Sequence, residues 1–355
     1  MRLLDCDTAP AYLAEVGLVA SHERLEISPL AGGVSNIVLL VRRPESGGEP
    51  FVLKQARAQL RVPQPWFCAV ERMLREIDVL RVVETLVVEL NQQSADRDQV
   101  AAVRVHTPRI LWEDRENFAL AMTAAPVPHA TWKERLLAGD LEAGFAVATG
   151  RLLGWLHART WQDARVASDF DDRSFFDDLR IDPYYRQVAK VHVDLAEPIQ
   201  ALIESVWSHR RCLVHGDFSP KNLLAWDRQL MLIDFEVGHY GDPAFDLGFF
   251  LTHLVLKSFY HGPSTDLGRQ MIELTRHFWR SYGEQLAGRV GADEWASLQR
   301  RAVANFAGCM LARVDGKSRV DYLKELQPVR ALARRLLLTP PSNWDEAVAC
   351  MAEST

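Results

Sequence analysis

No run of apolar residues in this chain approaches the roughly twenty that a bilayer-spanning helix needs, and no block of lysines and arginines interrupts a formal net charge of −6. The first absence excludes a helical membrane span. The second leaves a nucleic-acid backbone or an anionic membrane with little to bind. Cysteine is scarce as well, with Cys6, Cys68, Cys212, Cys309 and Cys350 odd in number, widely spread and free of any C-x-x-C pair. That excludes a disulfide framework and a cysteine-based structural zinc site. The opening stretch MRLLDCDTAP has acids and a proline where a signal peptide needs an apolar run. The expectation is a cytoplasmic protein, monomer or homodimer, that acts on a small molecule, with neither a nucleic-acid nor a membrane partner.

What is present is an ordinary globular composition, 48% hydrophobic and 25% charged, in 355 residues. A chain of that length exceeds the usual single core, so two lobes are expected. Between Leu25 and Met122 the segments LEISPL, GGVSNIVLLVRR, PFVLKQA, PRILWED and NFALAM read as short strands. They surround one helix, expected over Trp66 to Glu89, whose Phe67, Val70, Met73, Leu74, Ile77 and Leu80 recur at spacings of three and four. The two prolines of AAPVPHA mark a boundary. The expected lobes are residues 1–125, a small antiparallel sheet with one main helix, and residues 126–355, larger and mainly helical. Helical spacing recurs near 141–161, 199–209, 246–260, 267–286, 294–312 and 320–338. Within this second lobe CLVHGD, NLLAWD and QLMLIDFE form an island of β-type sequence, with Asp227-Arg228-Gln229 as a turn.

That island carries the chemistry. Asp217 and Asp234 each follow an apolar run and Asn222 lies between them, so a paired hairpin gathers acceptor oxygens at one end. Hard oxygen ligands of this kind suit Mg²⁺, which takes one or two protein carboxylates and leaves its other positions to water and phosphate. Lys54, in the strand-like FVLKQA, is a charge that needs a partner, and Glu76 on the helix is a candidate, with Glu71 and Arg75 as neighbours that compete for the role. Ahead of both, Gly32, Gly33, Ser35 and Asn36 of LAGGVSN form a loop whose backbone N–H groups suit phosphate oxygens.

H-G-D-x-x-x-x-N at His215, Gly216, Asp217 and Asn222, I-D-F-E at Ile233 to Glu236, and G-D-P-A-F-D-L-G at Gly241 to Gly248 resemble the aminoglycoside phosphotransferase family of small-molecule kinases. The resemblance spans nearly the whole chain. It implies an α+β, protein-kinase-like, two-lobed fold. It also implies transfer of the γ-phosphoryl group of ATP, with Mg²⁺, to a hydroxyl of an aminoglycoside-, sugar- or amino-alcohol-like acceptor. By the same resemblance Asp217 is the catalytic base, and Asn222 and Asp234 hold Mg²⁺ with help from Glu236. Lys54, paired with Glu76, contacts the α- and β-phosphates, with Ser35 and Asn36 in the phosphate loop. Met122 to Ala125, with Met122 and Ala124 foremost, receive the adenine, while His215 and Asp246 brace the catalytic loop. Arg313, Asp315 and Lys317 of ARVDGKS occupy the region where methylthioribose kinases, in the same superfamily, place substrate-binding arginines, so all three are expected at the acceptor pocket. DFDDRSFFDD, 169–178, is either an acidic wall of that pocket or a solvated loop.

Three other readings compete. A protein kinase needs a long activation segment between Asp234 and Asp246, and a dozen residues leave no room for one. A nucleotide-binding pseudokinase or scaffold without turnover expects at least one of Lys54, Asp217, Asn222 or Asp234 to be replaced, and none is. A metal hydrolase built on His215, Asp217, Asp234 and His239 leaves Lys54 and the glycine loop without a role.

Overall fold

The structure is a computed structural model that describes residues 1–30, 35–61, 66–95 and 103–353. Its first sheet is β1 (Glu26–Pro29), β2 (Asn36–Arg43), β3 (Gly48–Ala56), β5 (Ile110–Asp114) and β6 (Ala119–Thr123), in the order β1-β2-β3-β6-β5, with every neighbouring pair antiparallel. Alternation along these strands sorts the side chains. Leu39, Val41, Phe51 and Leu53 pack on Tyr12 and Leu13 of α1 (Ala9–Glu15), while Leu40, Val52, Leu120 and Met122 join Met73, Ile77 and Leu80 of α2 (Arg72–Ala95). Lys54 shares the period of Val52 and is thereby delivered to the α2 side.

Helix α2 starts later than its apolar spacing predicts. Around Trp66 and Phe67 the backbone bonds run sideways, with Leu60 N–H donating to the Trp66 carbonyl at 2.9 Å and Cys68 N–H to the Ala58 carbonyl at 3.1 Å. Apolar spacing does not reveal that the first residues of a stripe are spent on such bridging.

A second sheet joins β4 (Arg104–His106), β7 (Ala130–Thr131), β9 (Leu223–Trp226) and β10 (Gln229–Leu232) in the order β4-β10-β9-β7. Strands β9 and β10 form the expected hairpin, and β10 also pairs in parallel with β4. A two-stranded ribbon pairs β8 (Cys212–Val214) with β11 (His239–Gly241).

The remainder is helical: α3 (Trp132–Leu137), α4 (Ala143–Arg159), α5 (Ala164–Asp169), α6 (Ser174–Phe176), α7 (Gln187–Val191), α8 (Ala196–Ser208), α9 (Pro243–His261), α10 (Asp266–Leu286), α11 (Ala292–Asp315), α12 (Gln327–Leu338) and α13 (Trp344–Ala352). A π-helical stretch, Asp177–Arg186, lies between α6 and α7 and contains Pro183, whose missing N–H favours a widened turn. The helix expected from residue 320 begins only at Gln327, where Pro328 occupies the first turn, a position that suits it. In the segment 169–178 the acids Asp169, Asp171, Asp172 and Asp178 are exposed, as the solvated reading expects, while the aromatics turn inward. Phe170, Phe175 and Phe176 are buried, and Phe176 packs on His239 with ring centroids 4.3 Å apart.

One close approach sets the frame of the site. On α4, Gly150 lies so near α10 that a methyl group there would collide with the Phe278 carbonyl oxygen. That intimacy brings Tyr282 Oη to 2.9 Å from His157 Nδ1. Gly150→Ala is therefore expected to cost about 1–3 kcal/mol through overpacking, checked by denaturant unfolding; unchanged stability would show that α4 and α10 have slack.

Candidate active site

The loop that follows β8 is held from beneath by Asp246 on the first turn of α9. Its carboxylate accepts the His215 N–H at 2.7 Å and the Gly216 N–H at 2.8 Å, and His157 Nε2 stands 3.4 Å away. Burial works against the charge on Asp246, yet His157 and the loop amides outweigh it and hold the carboxyl below its usual range. Gly216 has φ +74°, and a side chain there would press on Val237 and its carbonyl. His215 is buried, with Nε2 facing the Ile233 carbonyl at 3.2 Å and Nδ1 accepting the Asp217 N–H at 3.1 Å. Burial pushes its pKa down, so it is a neutral spacer between the loop and the β10 end. His239 is likewise buried, pushed down to about 4, and directed at the Val237 carbonyl. Among the described residues the group of side chains close enough to share a metal is Glu76, Asp234 and Glu236, with neither histidine in it, which does not match the metal-hydrolase arrangement.

Asp217 is almost fully buried and surrounded by donors. Arg180 Nη2 lies 2.6 Å from Oδ1, Lys221 Nζ 2.9 Å from Oδ2, and Asn222 Nδ2 donates to Oδ2 at 2.8 Å and to the Asp217 carbonyl at 2.9 Å. Burial raises its pKa, but Arg180 and Lys221 prevail and hold the carboxyl below the ordinary value. Both amide hydrogens of Asn222 point at Asp217, so its Oδ1 is the atom left for a cation. Arg180 and Lys221 were not singled out by the sequence reading. Lys221 lies inside the motif itself, whereas Arg180 sits in a stretch with no motif and reaches the loop through the π-helical turn.

Across the gap, Lys54 Nζ lies 2.7 Å from Glu76 Oε1 and 2.7 Å from Asp234 Oδ1. Burial opposes the ammonium, but Asp234 and Glu76 hold it protonated well above its usual range. Asp234 is driven far below its usual range because Lys54 and Lys221 outweigh its burial. Its φ of +73° is unusual for a residue with a side chain and is tolerated where surrounding contacts fix the backbone. Glu71 is exposed, and Arg75 donates to the Asp172 and Gly238 carbonyls, so neither competes for Lys54.

Glu236 stands beside Asp234 and Glu76 and also anchors the 35–36 segment. It accepts Ser35 Oγ at 2.7 Å, Asn36 Nδ2 at 2.8 Å and Arg72 Nε at 3.0 Å. Arg72 is completely buried and also donates to the Ser35 and Arg57 carbonyls. Ser35 and Asn36 thus direct their side chains to Glu236 rather than toward a phosphate position, and Arg72 is a further residue the sequence reading missed. Gly32 and Gly33 lie outside the described residues.

The donor set fits a hard divalent cation. Carboxylate oxygens of Glu76, Asp234 and Glu236 approach within 4.8 Å of one another, and Glu76 Oε2 is buried without a hydrogen-bond partner among the described residues. Burial, then Asp234 and Glu236, push Glu76 up to about 7 against the pull of Lys54.

Beside this centre is a cavity of about 330 Å³ lined by Leu40, Val52, Thr123, Ala124, Ala125 and Leu224 among others. Its walls are mainly apolar, with Arg42, Glu49 and His129 also lining it, and the 123–126 connection forms one side. Ala124 lines it, and Met122 lies just behind, in register with Val52 and Ile110.

The three expected acceptor residues do not act as one group. Arg313 Nη1 meets Tyr184 Oη at 3.3 Å and Ser318 Oγ at 2.6 Å. Asp315 instead accepts Arg330 Nε at 2.7 Å and contacts His192 Nε2 at 2.9 Å, fastening α11 to α12. Lys317 pairs with Asp182 at 2.8 Å on the surface. A helix that ends at Asp315 fans these side chains in different directions.

A profile of the phosphotransferase enzyme family (APH) matches residues 26–264. The chain belongs to that family. Phosphotransferases of this kind are small-molecule kinases that move a phosphoryl group to a hydroxyl, and this chain is one of them. It is 27% identical over 268 residues to the 4-hydroxytryptamine kinase of Psilocybe cyanescens, covering 67% of this chain and 72% of that protein. It is 24% identical over 342 residues to the methylthioribose kinase of Escherichia coli O45:K1 (strain S88 / ExPEC), covering 83% and 76%. Among solved structures, a choline/ethanolamine kinase family protein from Mesorhizobium loti superposes with a TM-score of 0.53 at 17% identity, over 98% of each chain, which shows a shared fold. Among the described residues no helix is long and apolar enough to cross a membrane.

The titration of Glu76 has a measurable consequence. Its folded pKa of about 7 lies above the ordinary 4.5, so between those values the folded state binds more protons than the unfolded state and stability falls as pH rises. Protonation below about 7 also removes one of the two carboxylates that position Lys54. Nucleotide affinity is expected to weaken as pH falls through that region and to lose this dependence in Glu76→Gln, followed by fluorescence titration at a series of pH values.

Proposed function

We propose that this kinase takes ATP with Mg²⁺ as its donor and that Asp217 serves as the base for a small hydroxyl acceptor. The juxtaposition that carries the reading is Lys54 held between Glu76 and Asp234, facing an ionised Asp217 that shares its loop with Asn222. The lobes divide near residue 125, and the adenine takes the apolar cavity against the 123–126 connection, a site of ordinary size for such a ring. Lys54 then meets the α- and β-phosphates. Asp234 and Asn222, with Glu76 and Glu236 at hand, would hold the cation, which when bound neutralises phosphate oxygens.

In the transfer the acceptor oxygen attacks the γ-phosphorus, the bond to the bridging oxygen breaks, and ADP leaves with that electron pair. The hydroxyl proton passes to the Asp217 carboxylate and then to solvent. Because Arg180 and Lys221 keep Asp217 weakly basic, its main contribution is to orient the hydroxyl and accept the proton late. His215 and Asp246 act through the loop backbone.

The curated relatives are named for hydroxytryptamine and methylthioribose, so aromatic, sugar-like and amino-alcohol acceptors all belong in a first screen. Asp217→Asn is expected to lower kcat by about 10²–10⁴-fold with nucleotide affinity nearly unchanged, read by coupled ADP release and by titration. Asp234→Ala is expected to abolish Mg²⁺-dependent ATP binding; calorimetry showing wild-type affinity would remove Asp234 from the metal site.

A further inference from the structure

Helix α9 continues from the loop-bracing Asp246 into an unusual buried face. Its Phe249 lies under the Arg180 guanidinium, 5.7 Å from the ring centroid, and the His253 ring follows at 4.8 Å from Phe249. Since Arg180 itself touches Asp217, this face begins one side chain away from the catalytic carboxylate. One turn further, Lys257 is wholly buried. Its ammonium position donates to the His253 carbonyl at 2.8 Å and lies 5.5 Å from the Tyr322 ring, which Lys133 also approaches at 5.5 Å. Arg313 enters from α11.

Lys257 Nζ and Arg313 Nη1 are hydrogen-bonded, but one further polar atom on each of three side chains is not. His253 Nε2, Arg313 Nε and Tyr322 Oη are buried and make no hydrogen bond among the described residues. Nearer the motif, Ser219 Oγ and Trp132 Nε1 are in the same condition. Buried polar groups are normally paired, so five such atoms between the catalytic loop and α11 call for a ligand. All five can donate a hydrogen bond, the histidine in its Nε2–H tautomer.

Charge gives the sign of that ligand. The ionic groups acting on Lys257 are Lys133 and Arg313, and those acting on His253 are Arg313, Lys257, Lys221 and Lys133. Two acids meet these cations: Asp217, 2.9 Å from Lys221, and Asp321, largely exposed and 3.7 Å from Lys133. With Lys221 paired to Asp217, the remaining cations Lys133, Lys257 and Arg313 make no ion pair with a buried carboxylate among the described residues and form a complement to an anion.

We propose that His253, Lys257, Arg313 and Tyr322, with Lys133 at the entrance, form the acceptor subsite and that it receives an anionic group. The substrate would then be a hydroxyl compound carrying a carboxylate or a phosphate, with its hydroxyl toward Asp217, rather than an amine. This rests on the reading of Asp217 as the base. Burial, aided by Lys133 and Arg313, lowers Lys257 to about 7, so the empty subsite limits its own repulsion by releasing a proton. An arriving anion restores the ammonium.

The test is calorimetry on the full chain saturated with ADP and Mg²⁺, using gluconate, glucose 6-phosphate, glucose and choline as probes near pH 8. The proposal expects gluconate or glucose 6-phosphate to bind, the stronger of the two identifying the anion, and glucose and choline to bind at least about tenfold more weakly. The apparent enthalpy should depend on the ionisation enthalpy of the buffer, showing proton uptake. Lys257→Met and Arg313→Gln should each weaken anion binding by about 10–100-fold, the scale of a lost charge-assisted hydrogen bond, and Lys257→Met should remove the proton uptake. Retained ADP binding shows that each variant is folded. Binding of neither anion, preference for choline, or unaltered anion affinity in both variants would overturn the proposal while leaving the kinase reading intact. If wild-type protein bound the anions but failed to bind ADP with Mg²⁺, the donor reading would fail instead.

Discussion

The site depends first on a carboxylate that never meets a substrate. Asp246 accepts two consecutive loop amides, and because those amides belong to His215 and Gly216, the next side chain, Asp217, has its direction set before any contact of its own. Two buried N–H groups without an acceptor would carry a large desolvation cost, so the loop has little freedom to adopt another path. The same carboxylate faces His157, which faces Tyr282, and that line exists because α4 and α10 pack at glycine distance. Helix packing deep in the protein is thereby converted into the aim of one oxygen atom at the surface of the cleft.

Opposite that oxygen stands an assembly in which charge is nearly balanced. Glu76, Asp234 and Glu236 crowd together, and Lys54 and Arg72 offset them. The arrangement is one carboxylate in excess, which is what a site for a divalent cation and a polyanion requires: too much compensation would repel the metal, too little would leave the protein unable to bury the cluster. Glu76 absorbs the imbalance through its raised pKa.

Much of this was readable from residues alone because motif spacing encodes backbone geometry. His215, Asp217, Asn222 and Asp234 lie on two strand ends and one turn, where distance along the chain limits distance in space. Lys54 and Glu76 were legible because a charge inside an alternating strand and another on an amphipathic helix each need an explanation. Arg180 and Arg72 were invisible for the opposite reason. Each looks like a surface arginine in sequence, and each reaches its partner only through tertiary contacts. For Ser35 and Asn36 the loop suggests backbone N–H groups suited to phosphate, and only the fold shows that their side chains turn to Glu236. In the segment 312–318 the helix stop is legible, but the rotation of each side chain about the helix axis, which separates Arg313 from Asp315 and Lys317, is not.

The parallel pairing of β4 with β10 reaches beyond sheet geometry. Residues 104–106 precede the connection at 123–126, whereas β10 leads directly into Asp234, so a second tether of main-chain bonds runs beside the covalent one. Two straps at separate points do not behave as a free pivot. Any rotation of one sheet against the other has to strain those main-chain bonds as well as the covalent connection.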